Sequence, residues 1–379
     1  MSKLAFLTCH LTGTGHLIRT LALVRTAQRL GHDVTLITGG RPLAHIDHSG
    51  LNVIQLPPVR VRRMEFTILR EPDGNLVTES YMANRLTQLC SSLRDLAPDA
   101  LITELFPLGR RVLAQEFLAA IDTVKTVNRL AAIICSVRDI PEPKPKRLTE
   151  SATHLLKRYT GVLVHGDEAF LPLSTTWPLP DDVAPMIHHV GYVGGGKAWP
   201  KPEKRHQNVL VSVGGGVLGR DLLEMACEAA KQSTRDWHLL VGGSDGKAIA
   251  QDLNAHHDTP NLRIEAARPD YRDLLASAGC SVSLCGYNTA VELASCTVPA
   301  ILVPSEEADE SEQRIRATRM AETPGIEMHR LPDLSASKLA EAADHLVAGA
   351  ARSALPLKGD DGTLAVQSIQ QIIDQRNKS

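Results

Sequence analysis

The strongest constraint in this chain is an alternation that runs through it twice. Short apolar runs of buried-strand type come first: KLAFLTC (3–9), DVTLIT (33–38), LNVIQL (51–56), DALITE (99–104), AAIICS (131–136) and GVLVHG (161–166). Most are separated by stretches long enough for a helical crossover, so the strands must run parallel, and a parallel sheet needs both faces covered. A second series follows: NVLVSV (208–213), HLLVGG (238–243), LRIEA (262–266), CSVSL (280–284) and PAILVP (299–304). Between the two lies GYVGGGKAWPKPEKRHQ (191–207), crowded with glycine, proline and charge, which reads as a linker. The expected architecture is α/β in two similar halves, residues 1–190 and 208–379, joined by 191–207. Helices are expected from about His16 to Leu30, from about Leu218 onward, through 334–348 and through 361–375.

Composition narrows the function. A length of 379 residues suits two cores better than one. Forty-one Lys and Arg against 43 Asp and Glu leave a formal charge of −2, which argues against a phosphate-tracking nucleic-acid binder. Aromatic residues at 3% leave little for base-stacking or sugar-stacking surfaces. No apolar run reaches the ~18 residues of a membrane-spanning helix, and the N-terminus lacks the apolar core of a secretory leader. Seven scattered cysteines with no C-x-x-C pair point to a reduced, cytoplasmic protein. The pairs His188-His189 and His256-His257 read as strand-end or loop residues, and no metal site is expected.

Three motifs could carry chemistry. Thr12-Gly13-Thr14-Gly15-His16 joins the first strand to the first helix, where Gly13 and Gly15 allow close backbone approach and the helix amino end attracts an anion. The motif is no dinucleotide fingerprint, because a third glycine and an acidic end to the second strand are both missing. His16 is the candidate general base, since a neutral imidazole is available near neutral pH. Gly214, Gly215 and Gly216 open the second half in the same way, without the Lys-Ser/Thr of a P-loop. The third motif is Leu284-Cys285-Gly286-Tyr287-Asn288-Thr289, followed by Glu292. Asn288 and Thr289 are placed to cap a helix, Gly286 lies at a diphosphate-binding turn, and Glu292 can accept from the hydroxyls of a ribose. In the first half, Glu104, Arg110, Arg111, Arg138 and Asp139 stand at strand ends facing the same place as His16. A long loop from Pro57 to Ser80, holding Arg60, Arg62 and Arg63, reads as a lid or binding surface.

The order G-x-G-H, Gly-rich loop, then G-x-x-T-x-x-E-L…V-P-A-I-L-V-P resembles the family 28 glycosyltransferases of the MurG-like kind, most specifically over 280–320. The resemblance implies a GT-B fold, two Rossmann-like parallel-sheet domains, with the acceptor bound by the first and the nucleotide-sugar donor by the second. It implies transfer with inversion at the anomeric carbon from a donor, most simply UDP-linked, that serves as co-substrate in place of a cofactor. By this likeness Glu292 binds the donor ribose, Gly286 to Thr289 with Gly214 to Gly216 hold the diphosphate, and Gln313 meets the donor sugar. The acceptor is a small molecule or lipid, with membrane contact peripheral at most. The chain departs from the family at Leu284-Cys285, where an Arg is common, and at Glu312-Gln313, where the MurG-like enzymes carry two glutamines. A retaining pair of glutamates spaced by seven is absent, because Ala300 holds the second place. Two other readings share the donor half: a nucleotide-sugar hydrolase of the pseudaminic-acid pathway type, similar over Gly13 to Arg19, and a non-catalytic sugar-nucleotide binding subunit.

Overall fold

The computed structural model describes residues 1–379 except 12, 44–45, 63–64, 66, 195–198, 201–203, 214–218, 244, 307–309, 350 and 379. The chain forms two compact units, one of residues 1–196 with 358–379, the other of residues 197–357.

The first unit runs β1 (Lys3–Thr8), α1 (Gly15–Arg29), β2 (Asp33–Thr38), β3 (Asn52–Gln55), α2 (Glu79–Leu96), β4 (Ala100–Glu104) and α3 (Ala114–Val127). It continues with β5 (Ala132–Arg138), α4 (Lys146–Leu156), β6 (Gly161–His165), β7 (Ile187–His189) and β8 (Tyr192–Val193). Seven strands form one sheet in the order β3-β2-β1-β4-β5-β6-β7, all parallel. The strand period of two sorts β1 between two cores: Ala5 and Leu7 pack with α2 and α3, Leu4 and Phe6 with α1. Both faces are therefore buried, as the unbroken apolar runs require.

The second unit repeats the plan with β9 (Val209–Val213), α5 (Arg220–Ala230), β10 (Trp237–Val241), α6 (Gly246–His256), β11 (Leu262–Ala266) and α7 (Tyr271–Ser277). It closes with β12 (Cys280–Ser283), α8 (Tyr287–Ser295), β13 (Ala300–Leu302), α9 (Glu312–Met320), β14 (Ile326–Met328) and α10 (Ala336–Ala348). Its six strands lie parallel in the order β11-β10-β9-β12-β13-β14. The fold is GT-B, two Rossmann-like sheets in one chain.

Two boundaries differ from the sequence reading: β8 (Tyr192–Val193), read as part of the 191–207 linker, is a buried strand of the first unit, and the chain's end also returns to that unit. The last segment, β15 (Gly359–Asp360) and α11 (Thr363–Lys378), belongs to the first unit. β15 pairs with β8, and Ala365, Val366, Ile369, Ile372 and Ile373 join the core that holds Leu4 and Phe6. A Cβ added at Gly161 would meet Ile372 Cδ1 at 2.7 Å, so strand β6 leaves room for this helix. The period of α11 was legible in sequence; the face it covers depends on a contact two hundred residues away. The Pro57–Ser80 loop is tied down by antiparallel bridges, Arg60 to Arg70 and Arg70 to Leu76, and by buried Val59, Val61 and Leu69. Arg63 lies outside the described residues.

Candidate functional site

Strand order in the first sheet reverses between β1 and β4. Ligands of open parallel sheets bind beyond the carboxyl ends of the strands at such a reversal. The turn after β1 carries Gly13, and α1 begins at Gly15 with no acidic residue and no side-chain cap bond in its first turn. His16 stands in that turn, and Glu104 is the last residue of β4 on the neighbouring strand.

The two meet. His16 Nδ1 lies 2.8 Å from Glu104 Oε1, and the side chain of His16 is 17% exposed. Glu104 also receives the guanidinium of Arg19, one helical turn beyond His16, and the hydroxyl of Ser136 at 2.8 Å. Ser136 is the register partner of Glu104 on β5, and its oxygen lies 2.9 Å from His165 Nε2. Burial opposes the charge on Glu104, but Arg19 and the His16 hydrogen bond hold its carboxyl at about 2. Burial, with the nearby Arg110 cation, pulls His16 down to about 3 against the pull of Glu104. Burial does the same to His165, with Arg19 adding to it. An ionised carboxylate only accepts hydrogen bonds, so His16 carries its proton on Nδ1 and presents a bare lone pair at Nε2. This is the geometry of an oriented general base.

Of the other first-unit candidates, Arg110 stands close enough to His16 and Glu104 for its charge to act on them, and Arg138 acts on Arg110. Arg111 points elsewhere, donating to the Leu148 carbonyl and to Ser151 Oγ, and so pins α4. Asp139 is 0% exposed, accepts from the Tyr192 hydroxyl at 3.3 Å and packs on Gly166, which makes it a support for the strand ends.

The second sheet reverses between β9 and β12. The loop after β9 includes Gly214, Gly215 and Gly216, which lie outside the described residues. The loop after β12 ends at Gly286, the N-cap of α8, and a Cβ there would meet nothing within 4 Å. Asn288 and Thr289 do not cap the helix as the sequence suggested: both lie inside its first turn, which has no side-chain cap bond and no acidic residue. The amino end of α8 thus keeps its positive character for an anion. Glu292 follows one turn on, half-buried, and burial raises its carboxyl to about 7 against the Arg272 charge. Gln313 spends its carbonyl oxygen on the backbone N–H groups of Cys285 (3.1 Å) and Ser305 (3.3 Å), joining the loops after β12 and β13. Glu312 pairs with buried Arg316, which also donates to the Cys285 carbonyl.

Sequence reasoning missed several members of both sites. Ser136 and His165 sit near the ends of apolar runs, where a lone polar residue was the available signal. Around Glu292 it missed Arg272, which stacks on Trp199 at 4.3 Å, and Tyr271, whose hydroxyl lies 3.2 Å from Ser212 Oγ. Among the described residues no three His, Cys, Asp or Glu side chains gather as a metal site, and no helix is long and apolar enough to cross a membrane.

Residues 209–372 match the glycosyltransferase family 28 C-terminal domain. That match reaches into α11, so by sequence the last helix goes with the second half although it packs on the first unit. A curated UDP-N-acetylglucosamine--N-acetylmuramyl-(pentapeptide) pyrophosphoryl-undecaprenol N-acetylglucosamine transferase from Exiguobacterium sibiricum is 29% identical over 159 residues, 39% of this chain. The match spans 43% of that relative's length. Among solved structures, Acinetobacter baumannii MurG aligns over 100% of both chains with a TM-score of 0.57 and 16% identity. The calicheamicin glycosyltransferase CalG4 aligns over 99% of this chain and 95% of its own, with a TM-score of 0.59 and 16% identity. These structures share the fold.

Proposed function

We propose that the protein, whose residues 209–372 match the glycosyltransferase family 28 C-terminal domain, is an inverting, MurG-like glycosyltransferase. It moves a sugar from a nucleotide-sugar, UDP-linked by preference, to the hydroxyl or amine of a small-molecule or lipid acceptor. The observation that carries the reading is the His16–Glu104 pair at the switch point of the first sheet, in which Glu104 orients the imidazole through Nδ1.

In the proposed reaction His16 Nε2 removes the acceptor proton as the acceptor atom forms its bond to the anomeric carbon. The bond from that carbon to the diphosphate oxygen breaks on the opposite face, and the nucleoside diphosphate leaves with the electron pair. Glu104 stabilises the imidazolium that forms. The amino end of α8, through Gly286, Asn288 and Thr289, and the Gly214–Gly216 loop receive the charge gathering on the leaving diphosphate. Glu292 accepts from the ribose hydroxyls. The donor is a co-substrate and no resident cofactor enters the scheme. We place the reaction in the cytoplasm, with membrane contact peripheral at most.

The test is incubation of the purified protein with nucleotide-sugars, alone and then with a metabolite extract. Nucleotide release that requires the extract, with a new glycosylated mass, supports transfer. Rapid release of free sugar without extract sinks the transferase reading and favours hydrolysis.

A further inference from the structure

The face of the first sheet that packs against α1 and α11 is apolar through most of its depth. Ala100 and Ile102 on β4, Ala132 and Ile134 on β5, and Leu163 on β6 all join that core. Two residues further along each strand the same face carries Glu104, Ser136 and His165, and all three are buried. Buried polar groups cost free energy unless they are hydrogen-bonded, and apolar side chains would fill the layer without that cost. These three are joined in a row. Ser136 Oγ lies 2.8 Å from Glu104 Oε2 and 2.9 Å from His165 Nε2. The other carboxylate oxygen, Oε1, receives His16 at 2.8 Å and the guanidinium of Arg19.

Hydrogen-bond chemistry gives the row a direction. Glu104 is ionised and can only accept, so the Ser136 hydroxyl spends its one hydrogen on Oε2. Ser136 must then accept from His165, which puts a hydrogen on Nε2 of that ring. Its enclosed Nδ1, without a partner among the described residues, is left as a bare lone pair. Burial and the Arg19 charge keep the His165 ring neutral. Every hydrogen in the row therefore points toward Glu104, from β5 and β6 on one side and from α1 on the other, and bonds in such a chain strengthen one another. The last torsion of a glutamate is soft, so the bond from Ser136 to Oε2 helps to fix the carboxylate plane that His16 meets at Oε1. We propose that Ser136 and His165 are positioning residues, acting through Glu104 to hold the His16 imidazole in the tautomer and orientation that removal of the acceptor proton needs. The proton-removal role rests on the transferase reading; the hold on the His16 ring does not.

The full-length protein, carrying isotope-labelled histidine, is read by the NMR shifts of its ring nitrogens, which separate a protonated nitrogen from a bare one. The His16 signals are assigned by their loss in His16→Ala. In wild type, His16 shows a protonated Nδ1 and a bare Nε2. Ser136→Ala moves both shifts toward the average of the two tautomers and lowers kcat about 10–100-fold with donor KM unchanged, the scale of a misplaced catalytic group. His165→Leu acts in the same direction, by about tenfold. His165→Gln, whose amide N–H stands in for Nε2–H, recovers most of that loss. His16 signals and kcat that stay at wild-type values in Ser136→Ala overturn the proposal whatever the melting temperature does, because the row is then a support for the fold alone. A kcat loss with unmoved His16 signals overturns it too, since the effect then reaches the reaction by another route. So does His165→Gln that is no better than His165→Leu, which makes the ring a packing element. Should Ser136→Ala fail to fold, the two His165 variants decide on the same signals. If no nucleotide-sugar is turned over, moved His16 signals leave the positioning standing and fail the transferase reading instead, whereas unmoved ones overturn the positioning.

Discussion

Each unit places a glutamate at the switch point of its sheet, and the two are held in opposite ways. Glu104 ends β4 among three donors, and Arg19 with His16 keeps it ionised to about 2. Glu292 lies on the second turn of α8 with only the Arg272 charge to oppose burial, and its carboxyl rises to about 7. The same side chain, at a strand end in one unit and on the helix after a strand in the other, therefore meets two opposite environments. A carboxylate already saturated with hydrogen bonds is an orienting group, fixing the tautomer of His16. A carboxylate short of donors leaves room for hydroxyl groups from outside, the role we propose for Glu292.

The most severe way to break this comparison is at His16. If Glu104 serves only to orient it, the imidazole carries the proton transfer, and His16→Ala should lower kcat by about 10²–10⁴-fold with little change in donor KM. Steady-state kinetics with the nucleotide-sugar found by screening makes the measurement. A kcat within a few-fold of wild type would remove the first unit's pair from the chemistry.

A smaller effect is expected at Glu292. Glu292→Ala should raise donor KM by roughly ten- to a hundredfold, the worth of a charge-assisted contact to two hydroxyls, with kcat less affected. A sharper form uses the raised carboxyl. Ribose hydroxyls favour the charged form, so donor binding near pH 6.5 should release protons, visible as calorimetric heats that differ between buffers of unlike ionisation enthalpy. Glu292→Gln should abolish that buffer dependence. Persistence of the proton release in Glu292→Gln would return the residue to a helix-dipole role.

How far these sites were legible depends on how local their causes are. The G-T-G-H turn and the Gly286 turn announced themselves, because each sits where a strand pattern gives way to a helical one. Glu104 was visible as the polar end of an apolar run. Its bond to His16 was not, since 88 positions separate them and only the strand order β1-β4 brings them together. Ser136 and His165 follow from that same order, Ser136 as the register partner of Glu104 on β5 and His165 at the end of β6 beside it. The capping role read for Asn288 and Thr289 failed because α8 starts at Tyr287 with Gly286 as its N-cap, which puts both side chains inside the first turn. Composition likewise could not show that α11 returns to the first unit, because its apolar stripe would fit either core.

The gentlest test sets the two units against each other by pH. In the first unit, His10, His16, His32, His165, His188 and His189 are all lowered from their ordinary value by burial. The unfolded chain binds protons at these positions below about pH 6.5 while the folded one resists, so acidification favours unfolding. Their contribution is complete above that pH and declines as pH falls toward the folded values, about 3 for His16 and His165. Glu292 runs the other way. Its folded carboxyl is raised to about 7, so the folded state holds a proton that the unfolded state releases above about pH 4.5. That contribution is complete at low pH and is lost as pH rises through 7. Between pH 5 and 6.5, acidification should therefore weaken the first unit and leave the second unchanged or firmer. Peptide-resolved hydrogen exchange, corrected for intrinsic rates, reads both units in one sample. Peptides from β4, β5 and β6 should lose protection toward pH 5, whereas those from α8 and β12 should hold or gain it. In Glu292→Gln, which mimics the protonated acid, the second unit's response should flatten while the first unit's stays. If both units moved in the same direction, the contrast between the saturated and the unsatisfied carboxylate would lose its thermodynamic support.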